Sequence, residues 1–175
     1  SPSVRCVGRL DKDTSGVLLL AKNRLAAARL SRQRESGVLR KEYLAIVHGV
    51  FPEEKQEDWI CLPLKQETVI VPDASLVTRM SICQDGEGMQ AKTHYQVLCR
   101  DKEYSLVGFW LETGRMHQIR VHMSAIGHPL FGDPLYGTGD DGGSRAALHA
   151  FRIQFLQPMT GEKIEINSFR THMFD

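Results

Sequence analysis

Residues 8–16 read Gly-Arg-Leu-Asp-Lys-Asp-Thr-Ser-Gly and lead directly into the apolar run Val-Leu-Leu-Leu-Ala at 17–21. A short continuous apolar run bounded by Gly16 and Lys22 is typical of a buried strand. A tight polar turn against such a strand holds a carboxylate, here that of Asp11, at a rigid edge, as a nucleophile or base requires. An ordinary turn, whose polar side chains bond to their own backbone, explains this segment better when it is taken alone.

The rest of the chain shows many strand patterns and only two helix patterns. Asn23 is expected to cap a helix that runs to Arg34 and closes at Gly37, and a second helix fits 115–125. Strands are predicted at 43–47, 76–83, 91–100, 104–111, 148–155 and 163–167. Residues 51–67 are expected to be rich in loops, and 128–145 to form a long surface loop because Gly, Pro and Asp are frequent there. Many strands without regular βαβ alternation predict an α+β domain around a mixed sheet.

Composition places the chain among soluble globular proteins. Its 175 residues fit one domain, with 42% hydrophobic and 25% charged residues. The run at 17–21 is far too short to cross a bilayer, so no membrane association is expected. Four widely separated cysteines, at 6, 61, 83 and 99, indicate free thiols in a reducing compartment rather than a zinc knuckle or a disulfide framework. We therefore expect a cytoplasmic protein.

Charge is distributed unevenly, although the net value is only +1. Residues 1–50 hold ten Lys and Arg against four Asp and Glu, an excess of +6. Such a segment can present a positive face to phosphates. It can equally be the solvated surface of a helix, because Arg29, Arg32 and Arg34 recur at near-helical spacing. Charge alone leaves both interpretations open.

Two further segments combine polar, cationic and aromatic residues. Lys-Glu-Tyr-Leu-Ala at 41–45 enters a strand, where Tyr43 either stacks on a base or handles a proton, or is simply a half-buried strand aromatic. Residues 114–122 read Gly-Arg-Met-His-Gln-Ile-Arg-Val-His, at a predicted helix start whose backbone N–H groups attract anions. His117 and Arg120 are expected to share a helix face. His117 and His122 would lie about 140° apart on a helix, so no metal site is expected.

Together the three segments resemble the signature motifs of the RluA-type RNA pseudouridine synthases. Arg-Leu-Asp-x-x-Thr-Ser-Gly, Lys-x-Tyr-Leu-Ala and Gly-Arg-x-His-Gln-Ile-Arg-Val-His occur in the family's order and at compatible spacing. Gly-His-Pro-x-x-Gly-Asp-x-x-Tyr-Gly at 127–137 and Leu-His-Ala at 148–150 also match. The resemblance implies one catalytic domain over 1–175, with a mixed, largely antiparallel, bent sheet flanked by a few helices. It also implies an isomerase that converts uridine in RNA to pseudouridine without cofactor or metal.

The resemblance assigns roles to individual residues. It implies that Asp11 is the carboxylate that attacks C1′ or the base, or that takes a proton from the sugar. Arg120 corresponds to the arginine that pairs with this aspartate, and Tyr43 to the tyrosine that stacks on the uracil and assists loss of the C5 proton. Because the target base must leave its stack, we also predict RNA contacts at Arg9, Arg115, His117 and Gln118. Ordinary surface or turn roles compete with this prediction for all four.

Two features depart from the family pattern. Gly8 stands where members commonly carry His and is more typical of the sister branch that acts on small-subunit ribosomal RNA, so ribosomal and transfer RNA both remain candidate partners. Only eight residues precede Arg9, so we expect the domain to lack upstream strands and to expose apolar surface beside 17–21. We expect a monomer. An inactive RNA-binding module with the same fold is the main alternative, and a hydrolase using Asp11 and Asp13 is a weaker one.

Overall fold

The computed structural model describes residues 4–70 and 75–169. Within these ranges the chain forms eleven strands and two helices, which confirms the α+β class. The strands are β1 (Arg5–Val7), β2 (Ser15–Gly16), β3 (Leu19–Ala21), β4 (Arg40–His48), β5 (Glu57–Ile60), β6 (Leu64–Ile70), β7 (Leu76–Ile82), β8 (Thr93–Arg100), β9 (Tyr104–Leu111), β10 (Leu148–Leu156) and β11 (Lys163–Asn167); the helices are α1 (Arg24–Glu35) and α2 (Gln118–Ala125).

The chain divides into two compact units, Ser1–Leu44 with Leu148–Asp175, and Ala45–Ala147. In the first unit β1 pairs antiparallel with β3, β10 pairs antiparallel with β11, and β2 lies parallel to β10. In the second unit β8 pairs antiparallel with both β5 and β9, and β6 and β7 form an antiparallel hairpin. Antiparallel pairing therefore dominates, as predicted. The assignment of 1–175 to one catalytic domain stays a prediction.

The two ends of helix α1 are explained by the residues that cap it. The Asn23 side chain accepts a hydrogen bond from the Ala26 N–H at 2.8 Å, which satisfies one of the free donors of the first turn. After the last helical residue the chain turns through Gly37 at φ 72°, a conformation that glycine adopts without strain. The helix packs Ala26 and Leu30 into the core of the first unit, beside a set of apolar strand residues (Val7, Ala21, Ile153 and Phe155).

The apolar run at 17–21 forms less strand than expected, and the prediction that it is buried is wrong in part. Only Leu19–Ala21 is a strand, and Leu18 and Leu20 are 42% and 49% exposed while Ala21 is buried. Alternate residues of a strand point to opposite faces. Because the β1–β3 ribbon packs against α1, alternate residues of the run point away from the core.

In the second unit, the main departure from prediction lies between residues 51 and 67. The segment expected to be rich in loops contains β5 and the first part of β6. Glu57, Asp58 and Trp59 of β5 are exposed and only Ile60 is buried. Such a charged sequence suits a strand at a sheet margin and hides the period-2 pattern on which strand prediction depends.

The glycine-rich stretch 128–145 contains neither a helix nor a strand, as predicted, but it does not lie on the surface throughout. Leu130 and Asp133 are buried. Gly132 comes so close to residue 145 that a Cβ atom there would lie 2.2 Å from the Arg145 carbonyl oxygen. The loop therefore forms part of the packed interior of the second unit.

Candidate active site

The turn that carries Asp11 is closed by its own backbone. The Thr14 N–H donates to the Asp11 carbonyl oxygen at 3.0 Å, and the chain then enters β2. The Asp11 side chain is partly buried, whereas Arg9, two residues earlier, is exposed. Asp11 therefore opens a short, hydrogen-bonded turn that leads into β2, and its role as the reacting carboxylate stays a prediction.

A buried histidine from the far end of the sequence anchors this turn. Ser15 Oγ lies 2.7 Å from His149 Nδ1, and His149 Nε2 lies 2.8 Å from the Ser168 carbonyl oxygen. A carbonyl oxygen only accepts, so Nε2 carries the hydrogen, and in the neutral ring Nδ1 accepts from the Ser15 hydroxyl. This chain of hydrogen bonds fixes the residue that follows the Asp11 turn.

Gly16 completes the anchor, because no other residue fits at this position. Its φ is 115°, and a Cβ atom there would lie 2.2 Å from the Ala150 carbonyl oxygen. The next residue, Val17, donates its N–H to the same carbonyl at 2.9 Å. Strand β10 is thus packed directly against the end of the Asp11 turn.

Tyr43 lies close enough to Asp11 to feel its charge. Burial raises the pKa of the Tyr43 phenol to about 12, and the negative charge of Asp11 contributes to the same shift. Two of the three predicted catalytic residues therefore interact electrostatically within the first unit. At neutral pH the phenolate form would be on the order of 10⁻⁵ of the population, so Tyr43 is a neutral hydrogen-bond donor.

In the second unit, Arg120 is a buried cation held by Asp133. Arg120 is 2% exposed, its Nε donates to Asp133 Oδ2, and its Nη2 donates to Asp133 Oδ1, each at 2.7 Å. Asp133 Oδ1 also accepts the backbone N–H groups of Leu135 and Tyr136. Burial alone would raise the pKa of Asp133, but the hydrogen bonds and charge of Arg120, with the two N–H groups, hold that pKa below its ordinary value.

Asp133 is a residue to which the sequence assigned no role. It lies in the Gly-Asp-x-x-Tyr-Gly stretch at 132–137, whose resemblance to the family was the available signal. The bidentate hydrogen bonding between Asp133 and Arg120 fixes the plane of the guanidinium as well as its position. The predicted pairing of Arg120 with Asp11 would join the two units and stays a prediction.

His117 does not share a helix face with Arg120, so that prediction is wrong. Its φ of 53° places it in the left-handed region, immediately before α2. Both side chains nevertheless meet Tyr136. His117 Nδ1 lies 2.8 Å from the Tyr136 hydroxyl, and the Arg120 guanidinium lies over the Tyr136 ring, 5.1 Å from its centroid. The hydroxyl also accepts the Met80 N–H at 2.8 Å.

Gln118 is buried, and its amide is fully used inside the protein. Its Oε1 accepts from the Thr113 hydroxyl and the Arg115 N–H, and its Nε2 donates to the Lys92 carbonyl and the Thr93 hydroxyl, all at 2.8–3.0 Å. Contact with RNA would require breaking these bonds, so we revise its predicted role to that of shaping the turn before α2. Arg115 is exposed, and its Nε donates to the Gln90 carbonyl at 3.1 Å.

The two histidines considered as metal ligands have other partners. His122 is buried between the Thr93 hydroxyl and the Leu62 carbonyl, each 2.9 Å from a ring nitrogen, and burial lowers its pKa. Over residues 4–70 and 75–169, no group of three or more His, Cys, Asp or Glu side chains is arranged to hold a metal ion. Neither of the two helices in the described part of the chain is long and apolar enough to cross a membrane.

Comparison with known proteins agrees with the motifs. The sequence model of the family described as RNA pseudouridylate synthase matches residues 1–125. This chain belongs to that family. The match includes Asp11, Tyr43 and Arg120, whereas Asp133 and His149 lie beyond it.

Members of the family from bacteria and human resemble this chain closely. An uncharacterized RNA pseudouridine synthase of Bacillus subtilis, YjbO, is 40% identical over 95% of this chain and 55% of its own length. The ribosomal large subunit pseudouridine synthase D of Zymomonas mobilis is 37% identical over 93% of this chain and 51% of its own length. The structure of human RNA pseudouridylate synthase domain containing 1 superposes with a TM-score of 0.78 at 30% identity, covering 99% of this chain and 72% of that one. The chain thus spans about half the length of the curated relatives it matches.

Proposed function

We propose that this protein is an RNA pseudouridine synthase, an isomerase that converts a uridine within RNA to pseudouridine. The observation that carries the proposal is the family match over residues 1–125, which includes Asp11 and Tyr43; the charge of Asp11 also contributes to the raised pKa of Tyr43. In the reaction the N1–C1′ bond breaks, the uracil rotates, and a C5–C1′ bond forms while C5 loses its proton and N1 gains one. No net oxidation or hydrolysis takes place, so the chemistry demands neither cofactor nor metal.

Asp11 is the proposed reacting carboxylate. Attack on C1′, attack on the base and removal of a proton from the sugar all require a fixed carboxylate beside the nucleotide. The backbone bond that closes the turn and the bond between Ser15 and His149 hold the segment in place. We propose that this anchoring keeps the carboxylate at reacting distance when the base leaves its stack.

For Tyr43 we propose stacking on the uracil and donation of its hydroxyl hydrogen. A phenol whose pKa is about 12 is a poor base at neutral pH, because catalytic bases work best with a pKa near the operating pH. Of the two roles that the resemblance assigned to Tyr43, this favours stacking over removal of the C5 proton.

Arg120 is the proposed partner of Asp11, as the resemblance implies. Its guanidinium plane is set by the bidentate pair with Asp133 and by the ring of Tyr136. A guanidinium fixed in this way needs little reorganisation to stabilise a carboxylate. Asp133 is therefore a proposed positioning residue.

The proposed substrate is ribosomal RNA, because several relatives carry the name of ribosomal large subunit pseudouridine synthase D. Transfer RNA is the alternative. Arg9 and Arg115 are exposed, and together with His117 they are the proposed RNA contacts. A monomer acting in the cytoplasm is the corresponding proposal for assembly and location.

Release of tritium from RNA labelled at uridine C5 tests this function. The purified chain is incubated with bacterial large-subunit ribosomal RNA and with bulk transfer RNA, both transcribed with the label. We expect release from the ribosomal RNA and a matching amount of pseudouridine in its digest. Binding of RNA without release from either would contradict the proposal and favour the inactive module, and release of free uracil would favour a hydrolase.

A further inference from the structure

The side-chain ammonium group of Lys41 is buried and has no hydrogen-bond partner among the described residues. The residue lies on β4. A buried charged group without a partner costs free energy, and each such group in a native structure calls for an explanation. Burial, and then the charge of Arg34, lower the pKa of this amine.

Arg34 is a second cation whose charge acts on Lys41. It is exposed in the last turn of α1, close enough to Lys41 for their charges to repel. In the described part of the chain no ion pair joins either residue to an acid. Two cations brought together without a counter-charge form a site whose energy falls when an anion binds between them.

This cationic pair borders the Asp11 turn. A Cβ atom at position 8 would lie 3.6 Å from Arg34 Nη1, so the guanidinium lies against the open side of Gly8. Gly8 is the residue at which the chain departs from the family pattern, and its φ is 84°. Lys41 lies two residues before Tyr43 on the same face of β4, about 7 Å along the strand.

We propose that Arg34 and Lys41 form a binding site for a backbone phosphate of the RNA substrate, beside the nucleotide that reacts with Asp11. Arg34 is accessible and meets the phosphate first. Lys41 then rotates its flexible four-carbon stem to join it, and because its ammonium has no hydrogen bond to lose, leaving its present position costs little. This inference rests on the proposed function, since it takes RNA as the ligand.

The test compares the variants Lys41→Met and Arg34→Gln with wild type in RNA binding and in thermal melting. Binding of a fluorescein-labelled single-stranded oligouridylate is followed by anisotropy from 50 to 300 mM salt. We expect each substitution to weaken binding roughly tenfold at low salt and to reduce the slope of log K against log salt by about 0.7, the value for one phosphate of a single strand. The double variant should lose little more than either single one, because both residues hold the same phosphate.

Melting separates binding from a structural role. Lys41→Met removes an unpartnered charge and keeps the volume, so its melting temperature should equal or exceed that of wild type. Lys102→Met, at an exposed lysine between β8 and β9, is the matched control and should leave the salt slope and the oligouridylate affinity unchanged. A lower melting temperature of Lys41→Met with an unchanged slope would overturn the proposal. Tritium release by wild type in the same preparation separates the test of the proposed function from the test of the phosphate site. If wild type releases no tritium, the proposed function fails. If the variants are active and bind the oligouridylate as wild type does, only the phosphate site is refuted.

Discussion

Both carboxylate oxygens of Asp133 accept hydrogen bonds from the Arg120 guanidinium, at 2.7 Å each, and both side chains are almost wholly shielded from water. Removing one partner of a buried ion pair leaves the other charge uncompensated. Loss of either partner should therefore lower the free energy of unfolding.

Asp133→Asn should lower the free energy of unfolding by about 3–5 kcal/mol, measured by urea denaturation. Glu67→Gln is the control, because Glu67 and Arg79 are joined at the same distance, 2.7 Å, but on the surface. Exposed pairs contribute little, so the control should unfold nearly as wild type does. Equal losses in the two variants would mean that burial adds nothing to the Arg120–Asp133 pair.

The same pair predicts a specific acid sensitivity. Because the folded-state pKa of Asp133 lies below its ordinary value, its contribution is complete above about pH 4–5, where the unfolded carboxyl is also ionised, and is lost as the pH falls further toward the folded pKa. The stability difference between wild type and Asp133→Asn should be constant from pH 7 to about 5 and shrink below about pH 4. A difference that shrinks between pH 7 and 5 would contradict the lowered pKa.

Asp11→Asn should lower the pKa of Tyr43, because it removes a negative charge that opposes ionisation of the phenol. Burial is the larger cause and remains, so the pKa should stay above the ordinary value of about 10. Titration of carbon-labelled tyrosines by NMR measures the shift, with Tyr43→Phe identifying the resonance among the four tyrosines. An unchanged Tyr43 pKa would show that the two groups do not interact.

Gly16→Ala should destabilise the protein far more than Gly37→Ala. Both positions have positive φ values, 115° and 72°, so both substitutions carry a backbone cost of roughly 1 kcal/mol. Only at Gly16 would the new Cβ atom also meet a backbone carbonyl at 2.2 Å, whereas nothing lies within 4 Å at Gly37. Comparable melting temperatures for the two variants would mean that β2 can move away from β10 without loss.

Local signals explain which parts of the fold were predictable. The Asn23 cap and Gly37 bracket α1 within a few residues, and β9 (Tyr104–Leu111) matches its predicted span. β5 was missed because its exposed, charged residues show no alternation. The start of α2 was placed three residues early because a left-handed histidine at 117 is rare outside glycine and has no sequence signature.

Some residues of the candidate site were predictable from sequence motifs, and others were revealed only by the fold. Asp11 and Tyr43 were named from motifs, and the charge of Asp11 contributes to the raised pKa of Tyr43, while their catalytic roles stay a prediction. Ser15 and His149 are 134 positions apart, so no periodicity links them, and only the fold shows that one anchors the other. Gln118 is a polar side chain beside predicted RNA contacts, but two of its four internal hydrogen bonds go to Lys92 and Thr93, which sequence spacing does not bring near.

The isomerisation rate of Asp11→Asn, set beside that of Asp13→Asn, tests the central claim most directly. Both aspartates lie in the same turn, and both substitutions remove one charge while keeping the shape. Tritium release from C5-labelled ribosomal RNA should be abolished in Asp11→Asn and retained in Asp13→Asn, with RNA affinity and melting temperature close to wild type in both. Release by Asp11→Asn near the wild-type rate, from a folded and RNA-binding protein, would contradict the assignment of Asp11 as the reacting carboxylate.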